Sequence, residues 1–508
     1  MSTKEDSTMN AAPLPLSLEA ADKQQEVSDN ISDIALTKSD EKEKFTVIEP
    51  AVLVVFIAST LTGAVLKNQQ LYQTCVKVYG YDEELCEPML GLTAKNETVT
   101  EIESEIQPYV AVIVSTSLVI NSIIPAFLTL LSGPWSDKFG RRPALVSTFT
   151  AVLIGKVVTV ILAAISLTTP FNPWIYVISS LPLALTGGVC TMMTMVICLV
   201  SDVSDDESRI GRMFFVEGAM GLGTLIGNLL SSYIHAGTGA IGVFAIGACM
   251  DLIAMLYVMF FISESLEVKH QRNQTHLREF FNFDLIKAQV NCILKHRPEY
   301  NSAIIWCIMF ILICITFVTQ GEAMISYYYL NTKFNVTVEE FTTFNYIGIG
   351  ITMGGCSIML ILMRVVFKVP LTVIALLGLL GCFADKLIHV LAQRFWQMYL
   401  AAVCGLMAGV NAPLLQAVLG SLVAPKEIGK IYAVIAALET LSPLASIPAL
   451  AAIYNTTAET YPGAFYIVDG GVYAICFTLL TIIYLMYRHS TKAMSAMQRE
   501  LHVVEVEK

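Results

Sequence analysis

The chain has 508 residues, 55% of them hydrophobic and only 14% charged, and its mean hydropathy is +0.64. A soluble domain carries about 25% charged residues, so this composition excludes a water-soluble enzyme and offers no nucleic-acid-binding surface. The net charge of −11 sits in tails and loops and names no partner.

Residues 1–45 are rich in Lys, Asp, Glu and Ser and poor in aromatics, which predicts a disordered cytoplasmic tail with no cleavable signal peptide. The first apolar run, 46–66, then serves as the signal anchor and opens with Glu49-Pro50. An acidic outer loop follows, 67–107, with Cys75, Cys86 and the sequon Asn96-Glu-Thr. Most cysteines fall in apolar runs, where they act as small hydrophobes. Cys75 and Cys86 lie in the loop, close in sequence, and predict a local disulfide in an oxidising compartment; the alternative is two unpaired thiols.

Spans at 109–131 and 143–167 are each long enough to cross a bilayer core, which takes about 20 residues. Between them lies Gly133-Pro-Trp-Ser-Asp137-Lys-Phe-Gly140-Arg141-Arg142-Pro143. A hairpin so short makes the two helices antiparallel neighbours. Its glycines permit tight backbone geometry and Pro143 suits a first helical turn. Asp137 can pair with Arg141 or Arg142.

The fourth span, 174–200, ends in a charged turn containing Asp202, Arg209 and Arg212. The fifth, 213–234, carries Glu217 and glycines at 218, 221, 223 and 227, the last two a G-x-x-x-G pair that permits close helix approach. The sixth is 240–262. A long basic linker, 264–300, then joins a first six-helix half, 46–263, to a second, 301–487, ahead of a polar tail, 488–508. The second half reads as spans at 302–328, 343–363, 369–391, 395–423, 431–453 and 464–486. Gly348, Gly350, Gly354 and Gly355 suit close packing of the eighth span on a moving partner.

Of the 31 Lys and Arg residues, the outer loops hold only Lys67, Lys77, Lys95, Lys333 and Arg394. That bias places both termini in the cytoplasm. Asn96, Asn335 and Asn455 then fall outside as glycosylation acceptors, whereas Asn30 and Asn273 fall inside and stay bare.

The pattern G-x-x-x-D-x-x-G-R-R from Gly133 resembles the loop between helices 2 and 3 of the major facilitator superfamily. Asp202-Val-Ser, Ser208-Arg209, Arg212-Met213 and Glu217 are similar to the helix 4–5 region of the proton-coupled folate transporter and heme carrier family. Ile48-Glu49-Pro50, Phe261-Ile-Ser-Glu264-Ser265 and Glu427-x-Gly429-Lys430 fit the same family, and the resemblance covers 46–487. It implies an all-α fold of twelve transmembrane helices in two six-helix halves. It also implies alternating access, with protons driving symport of a small organic anion. It assigns proton coupling to Glu217 and gating to Asp137, Arg141, Arg142, Asp202, Arg209 and Arg212. Three positions depart from the family: Val318 stands where it has a histidine, Gln416 where it has an arginine, and the fourth outer loop has no cysteine. The family name therefore does not fix the cargo, and folate-like, heme-like, nucleotide-like and peptidoglycan-fragment cargoes all remain open.

Ionisable groups inside a bilayer are costly and functional by default. Glu217 is a proton-coupling candidate, the alternative being a structural pair with Arg212 or Arg209. Glu322, before Tyr327-Tyr328-Tyr329, is a second; with Tyr327 and Gln416 it is also a candidate for binding cargo. The alternative for Glu322 is a helix-end residue reaching outer water. Lys156 and Asp251 can pair as a structural or gating bridge. Asp385 and Lys386 are adjacent and project about 100° apart on a helix, so they are not expected to face each other. Glu439 precedes Pro443 and is placed to satisfy backbone groups freed near a bend. His389 reads as a solvated helix-end residue.

No G-x-x-x-x-G-K-[ST] motif supports ATP drive, and no H-E-x-x-H or G-x-S-x-G motif supports an enzyme. Neither a cofactor nor a metal is called for. The expected partners are the lipid bilayer, a small organic anion and the proton, at the plasma membrane or alternatively the lysosomal membrane. A non-transporting receptor or scaffold on the same fold is the rival reading. A tag inserted beside Asn273 should be inaccessible from outside intact cells, and outside labelling there would overturn the topology.

Overall fold

A computed structural model describes residues 47–92, 97–204, 206–266, 280, 284–295, 301–423 and 427–506. The expected tail 1–45, the sequons at Asn30, Asn96 and Asn273, and most of the linker lie outside these residues.

Among the described residues, all long elements are helices. They are α1 (Glu49–Gln73), α2 (Glu97–Phe139), α3 (Arg141–Ser166), α4 (Gly188–Val203), α5 (Asp206–Phe261), α6 (Asp284–Leu294) and α7 (Asn301–Phe334). There follow α8 (Val338–Ile361), α9 (Leu371–Leu391), α10 (Trp396–Cys404), α11 (Ala408–Leu422), α12 (Ile428–Thr457) and α13 (Ala464–Val506). Eleven stretches are long and apolar enough to cross a membrane, and one of them is a 51-residue run within α5. At 1.5 Å per residue that run would be about 76 Å long, more than twice a hydrocarbon core of about 30 Å. It turns back at Gly239, whose φ of 67° breaks the helix, so it crosses twice and the total is twelve.

Several boundaries differ from the sequence expectation for identifiable reasons. The Gly133–Pro143 hairpin is not a loop. α2 stays helical through Gly133 and Pro134 to Phe139, and α3 begins at Arg141. The turn is Gly140 alone, with φ of 104°. The fourth crossing is broken by Gly187 and Gly188, both at positive φ, into a 3-10 stretch Pro173–Ser180, one turn Leu181–Leu185, and α4.

Packing is inside-out relative to a soluble protein. α3 exposes Ile154, Val157, Ile161 and Ile165 while burying Gly155, Thr159, Ala163 and Ser166. A stripe of exposed Ile and Val at helical spacing suits lipid rather than water. Small residues inside let helices approach, because lipid supplies no hydrophobic drive and close contact must do so. α1 packs on α5 through Gly223 and Gly227. A Cβ on Gly227 would lie 2.5 Å from Ile57 O, and one on Gly223 2.8 Å from Leu53 O. In the second half α9 packs on α13, and α7 on α12 and α13.

The halves meet most closely where α2 crosses α12. A Cβ on Gly133 would sit 2.6 Å from Gly429 O. The glycines of α8 do not act in this way. Gly348, Gly350 and Gly354 have no neighbour at the Cβ position, and only Gly355 meets Leu406.

At the opposite end, Cys75 and Cys86 are joined in a disulfide with Cα atoms 5.9 Å apart. They cover an apolar cluster of Leu71, Met89, Ile106 and Val110. Asn335, in the turn after α7, and Asn455, in the last turn of α12, are exposed at this same end.

The glycine contacts yield a stability test. Gly227→Leu should lower the detergent-solubilised melting temperature, with an overpacking cost of about 1–3 kcal/mol. Gly348→Leu, with open space at its Cβ, should leave it unchanged or raise it. Equal effects of the two changes would contradict the packing described.

Candidate functional site

Between the halves lies a cavity of about 520 Å³. α2 contributes Asn121 and Ser122 to its wall, α4 Thr194, α7 Thr316 and Gln320, α11 Gln416, and α12 Tyr432, Glu439 and Thr440. The lining contains no Lys or Arg. It offers hydroxyls and carboxamides, which donate or accept as a bound molecule requires, and one acid, Glu439. Glu439 thus faces the cavity, beside the Thr316 hydroxyl, rather than serving the backbone near Pro443. Glu217 on α5 lies close enough to Glu439 for the two carboxyls to feel each other across the halves. It does not pair with Arg212, which meets Glu49 at 3.3 Å. Nor does it pair with Arg209, whose Nη2 donates to Ser204 O.

The cavity is sealed towards the Asp137 end. Tyr432 forms part of its floor and donates its hydroxyl to Gln416 O at 2.6 Å. Beyond Tyr432, Gly133 abuts Gly429, and Asp137 and Arg141 crowd the open side of Gly429. Lys295 pairs with Glu427 at 2.7 Å.

Arg141 organises this end. It is completely buried, with Nη2 2.6 Å from Asp137 Oδ1 and Nε 3.1 Å from Asp202 Oδ2. Its Nη1 donates to Ser136 Oγ at 2.6 Å, and Ser265 Oγ donates to Asp202 Oδ2 at 3.0 Å. Arg142 takes no part in the pair; its guanidinium donates to Met259 O. The backbone N–H groups of Arg141 and Arg142 donate to the Glu264 carboxylate at 2.8 and 3.1 Å. A carboxylate at a helix N-terminus is the favourable arrangement for the helix dipole. It also explains Gly140, because a Cβ there would collide with Glu264. One loop, one turn and the exit of the sixth crossing are thereby tied together.

A second ionic cluster lies inside the second half. Lys386 Nζ is 2.6 Å from Glu322 Oε2 and 2.8 Å from Asp385 Oδ2. The adjacent Asp385 and Lys386 do pair, contrary to the helical-wheel expectation, because the four-carbon lysine stem folds back along the helix. Glu322 consequently faces α9 rather than the cavity, and its neighbour Gln320 lines the cavity instead. His389 is not solvated. It is buried, with Nδ1 2.9 Å from Asp385 O and its ring 4.5 Å from that of Tyr466. Tyr327 packs against Phe341, ring centroids 5.2 Å apart, and is not among the cavity-lining residues. Lys156 does not bond Asp251; its ammonium donates to Thr62 Oγ1 and Ala58 O. Asp469 was not singled out in the sequence, although a lone Asp in the apolar run 464–486 is a readable signal. Glu264 was noted only as part of a motif.

The sequence profile of the Major Facilitator Superfamily matches residues 105–446. The chain belongs to that superfamily. This facilitator is a multi-pass membrane protein of a transporter family and not an enzyme. It is 30% identical over 438 residues to the probable peptidoglycan muropeptide transporter SLC46 of Drosophila melanogaster, covering 85% of this chain and 84% of that one. It is 23% identical to the lysosomal proton-coupled steroid conjugate and bile acid symporter SLC46A3 of Gallus gallus, over 83% of this chain and 90% of the other. It is 22% identical to the proton-coupled folate transporter of Rattus norvegicus, over 86% and 91%. Among solved structures, the human organic anion transporter MFSD10 superposes with a TM-score of 0.62 at 15% identity, over 86% of this chain and 98% of that one, a likeness of fold.

Arg141→Met would leave two buried carboxylates without their cation, a defect costing about 3–5 kcal/mol. The variant should melt earlier and lose transport. Adding Asp137→Asn and Asp202→Asn should restore the melting temperature but not the transport rate. Recovery of full transport by that triple variant would show that the ion triad is not part of the gate.

Proposed function

We propose that this facilitator is a proton-coupled symporter for a polar, amide- and hydroxyl-rich organic acid of the sugar–peptide class. The observation that carries the reading is the composition of the central cavity. Its wall combines apolar side chains such as Leu183, Met193 and Ile435 with uncharged hydrogen-bonding groups and one acid, Glu439, and a half-buried second acid, Glu217, lies close by. A cavity without Lys or Arg gives no ion pair to a di-anionic cargo. It suits carbonyls, amides and hydroxyls, and Gln416 and Gln320 are the adaptable partners. The similarity to a muropeptide transporter supports this class over folate, and the departures at Val318 and Gln416 agree.

Coupling follows from electrostatics. Two carboxylates near each other at an interface between moving halves repel when both are ionised, and that repulsion disfavours the closed contact. A proton taken up at Glu217 removes it. Asp137 and Arg141, well away from the cavity, serve the gate and not the cargo. The placement of Lys and Arg supports an Asp137 end that faces the cytoplasm, with the disulfide outside or in a lumen. In this arrangement the cavity is closed to the cytoplasm and takes its proton from the opposite side.

Cells displaying the protein at their surface should take up a labelled muropeptide faster from a mildly acidic medium than from a neutral one, and folate poorly. Glu217→Gln should bring the acid-to-neutral uptake ratio down to unity while retaining downhill exchange. Acid-stimulated uptake that survives this change intact would remove Glu217 from the coupling. No uptake of either probe, with the protein at the surface, would favour a receptor.

A further inference from the structure

In each half the third crossing carries a lysine and the sixth a buried acid, the second half adding Asp385 beside its lysine. In the first half these are Lys156 on α3 and Asp251 in the second arm of α5; in the second they are Lys386 on α9 and Asp469 on α13. In both halves the lysine is held by the first crossing instead, through Thr62 on α1 and Glu322 on α7. Both acids are buried, Asp251 at 1% exposure and Asp469 at 0%. Neither has a hydrogen-bond partner for either carboxylate oxygen among the described residues.

The second half allows the charges to be counted. Glu322 from α7 and Lys386 from α9 are the charged groups near enough to act on Asp469 electrostatically. Lys386 is in turn surrounded by Asp385, Glu322, Tyr466 and Tyr473, and His389 leans on Asp385. Gly470 backs directly onto the lysine stem. One ammonium therefore serves three carboxyls, and its two short contacts are already made to Glu322 and Asp385. An ionised Asp469 would be a third anion, buried and without a single hydrogen bond, which costs several kcal/mol. A neutral carboxylic acid escapes most of that cost.

We propose that Asp469 is a second proton site, occupied in this conformation and separate from the cavity acids Glu217 and Glu439. Its exchange works through Lys386. When a proton binds Glu322, whose side chain is 18% exposed, the ammonium is freed to turn to Asp469. The Asp469 O–H proton then leaves to water, and the net charge of the cluster is unchanged. Proton occupancy stands on the cluster alone; its use in transport rests on the symport reading above.

Infrared difference spectroscopy on the reconstituted full chain at neutral pH tests this without any cargo. The parent should show the carbonyl stretch of a protonated carboxylic acid, and Asp469→Asn should lose one acid's share of it. Glu322→Gln should lose the same share although Asp469 is still present, because the freed ammonium ionises Asp469. If the band is unaltered in Asp469→Asn, or persists in full in Glu322→Gln, the proposal is overturned. Pulse-free uptake assays on the same proteins keep the two readings apart. Acid-stimulated uptake in the parent with an unaltered band defeats only this site, whereas the expected band changes without acid-stimulated uptake defeat only the symport reading.

Discussion

A buried charge in an apolar bundle must find a partner, and Arg141 shows what that requirement does to a fold. Its guanidinium is fully enclosed, so it has to be neutralised in place. Asp137 comes from its own hairpin and Asp202 from the end of the fourth crossing. Glu264 then binds the backbone at the same spot, and Ser265 binds Asp202. Three chain segments far apart in sequence converge on one guanidinium that is itself cut off from solvent. Such a junction is rigid in this arrangement and expensive to break halfway.

Close approach of helices is the second constraint. Where Gly133 meets Gly429, backbone touches backbone across the halves. Where Gly223 and Gly227 meet α1, the same device binds two helices within one half. The contacts differ in kind, since the first joins the two halves and the second holds two helices of one half together. α8 offers the contrast. It has several glycines and open space beside most of them, so a glycine-rich span is not by itself a tight interface.

The polar interior is divided between two functions. The cavity is lined by apolar side chains, neutral hydrogen-bonding groups and one acid, whereas the lysines are withdrawn into the bundles of the individual halves. Keeping Lys156 and Lys386 out of the cavity leaves its one lining acid, Glu439, without a cation beside it. It also leaves the carboxylates around Lys386 in competition for one cation.

The sequence alone determined the number of crossings, the division into two halves and the superfamily, because bilayer thickness imposes a length on every apolar run and the motif from Gly133 to Arg142 is local. It also marked Glu217 and Lys386 as charges in places where charges are costly, and Arg141 as part of a charged hairpin between spans. Tertiary structure alone decided how they associate. Adjacent Asp385 and Lys386 pair because a lysine stem is flexible, a property invisible on a helical wheel. Glu322 turns from the cavity to α9, His389 is enclosed by Tyr466, and Glu439 looks into the cavity instead of at its own backbone. Lys156 prefers a hydroxyl and a carbonyl to the acid nearby. In each case the choice depends on which side chains from distant helices reach the same few cubic ångströms, and helix spacing and rotation set that. Asp469 is the clearest instance: a single acid in an apolar run, whose meaning appears only when α7, α9 and α13 bring one ammonium and three carboxyls together.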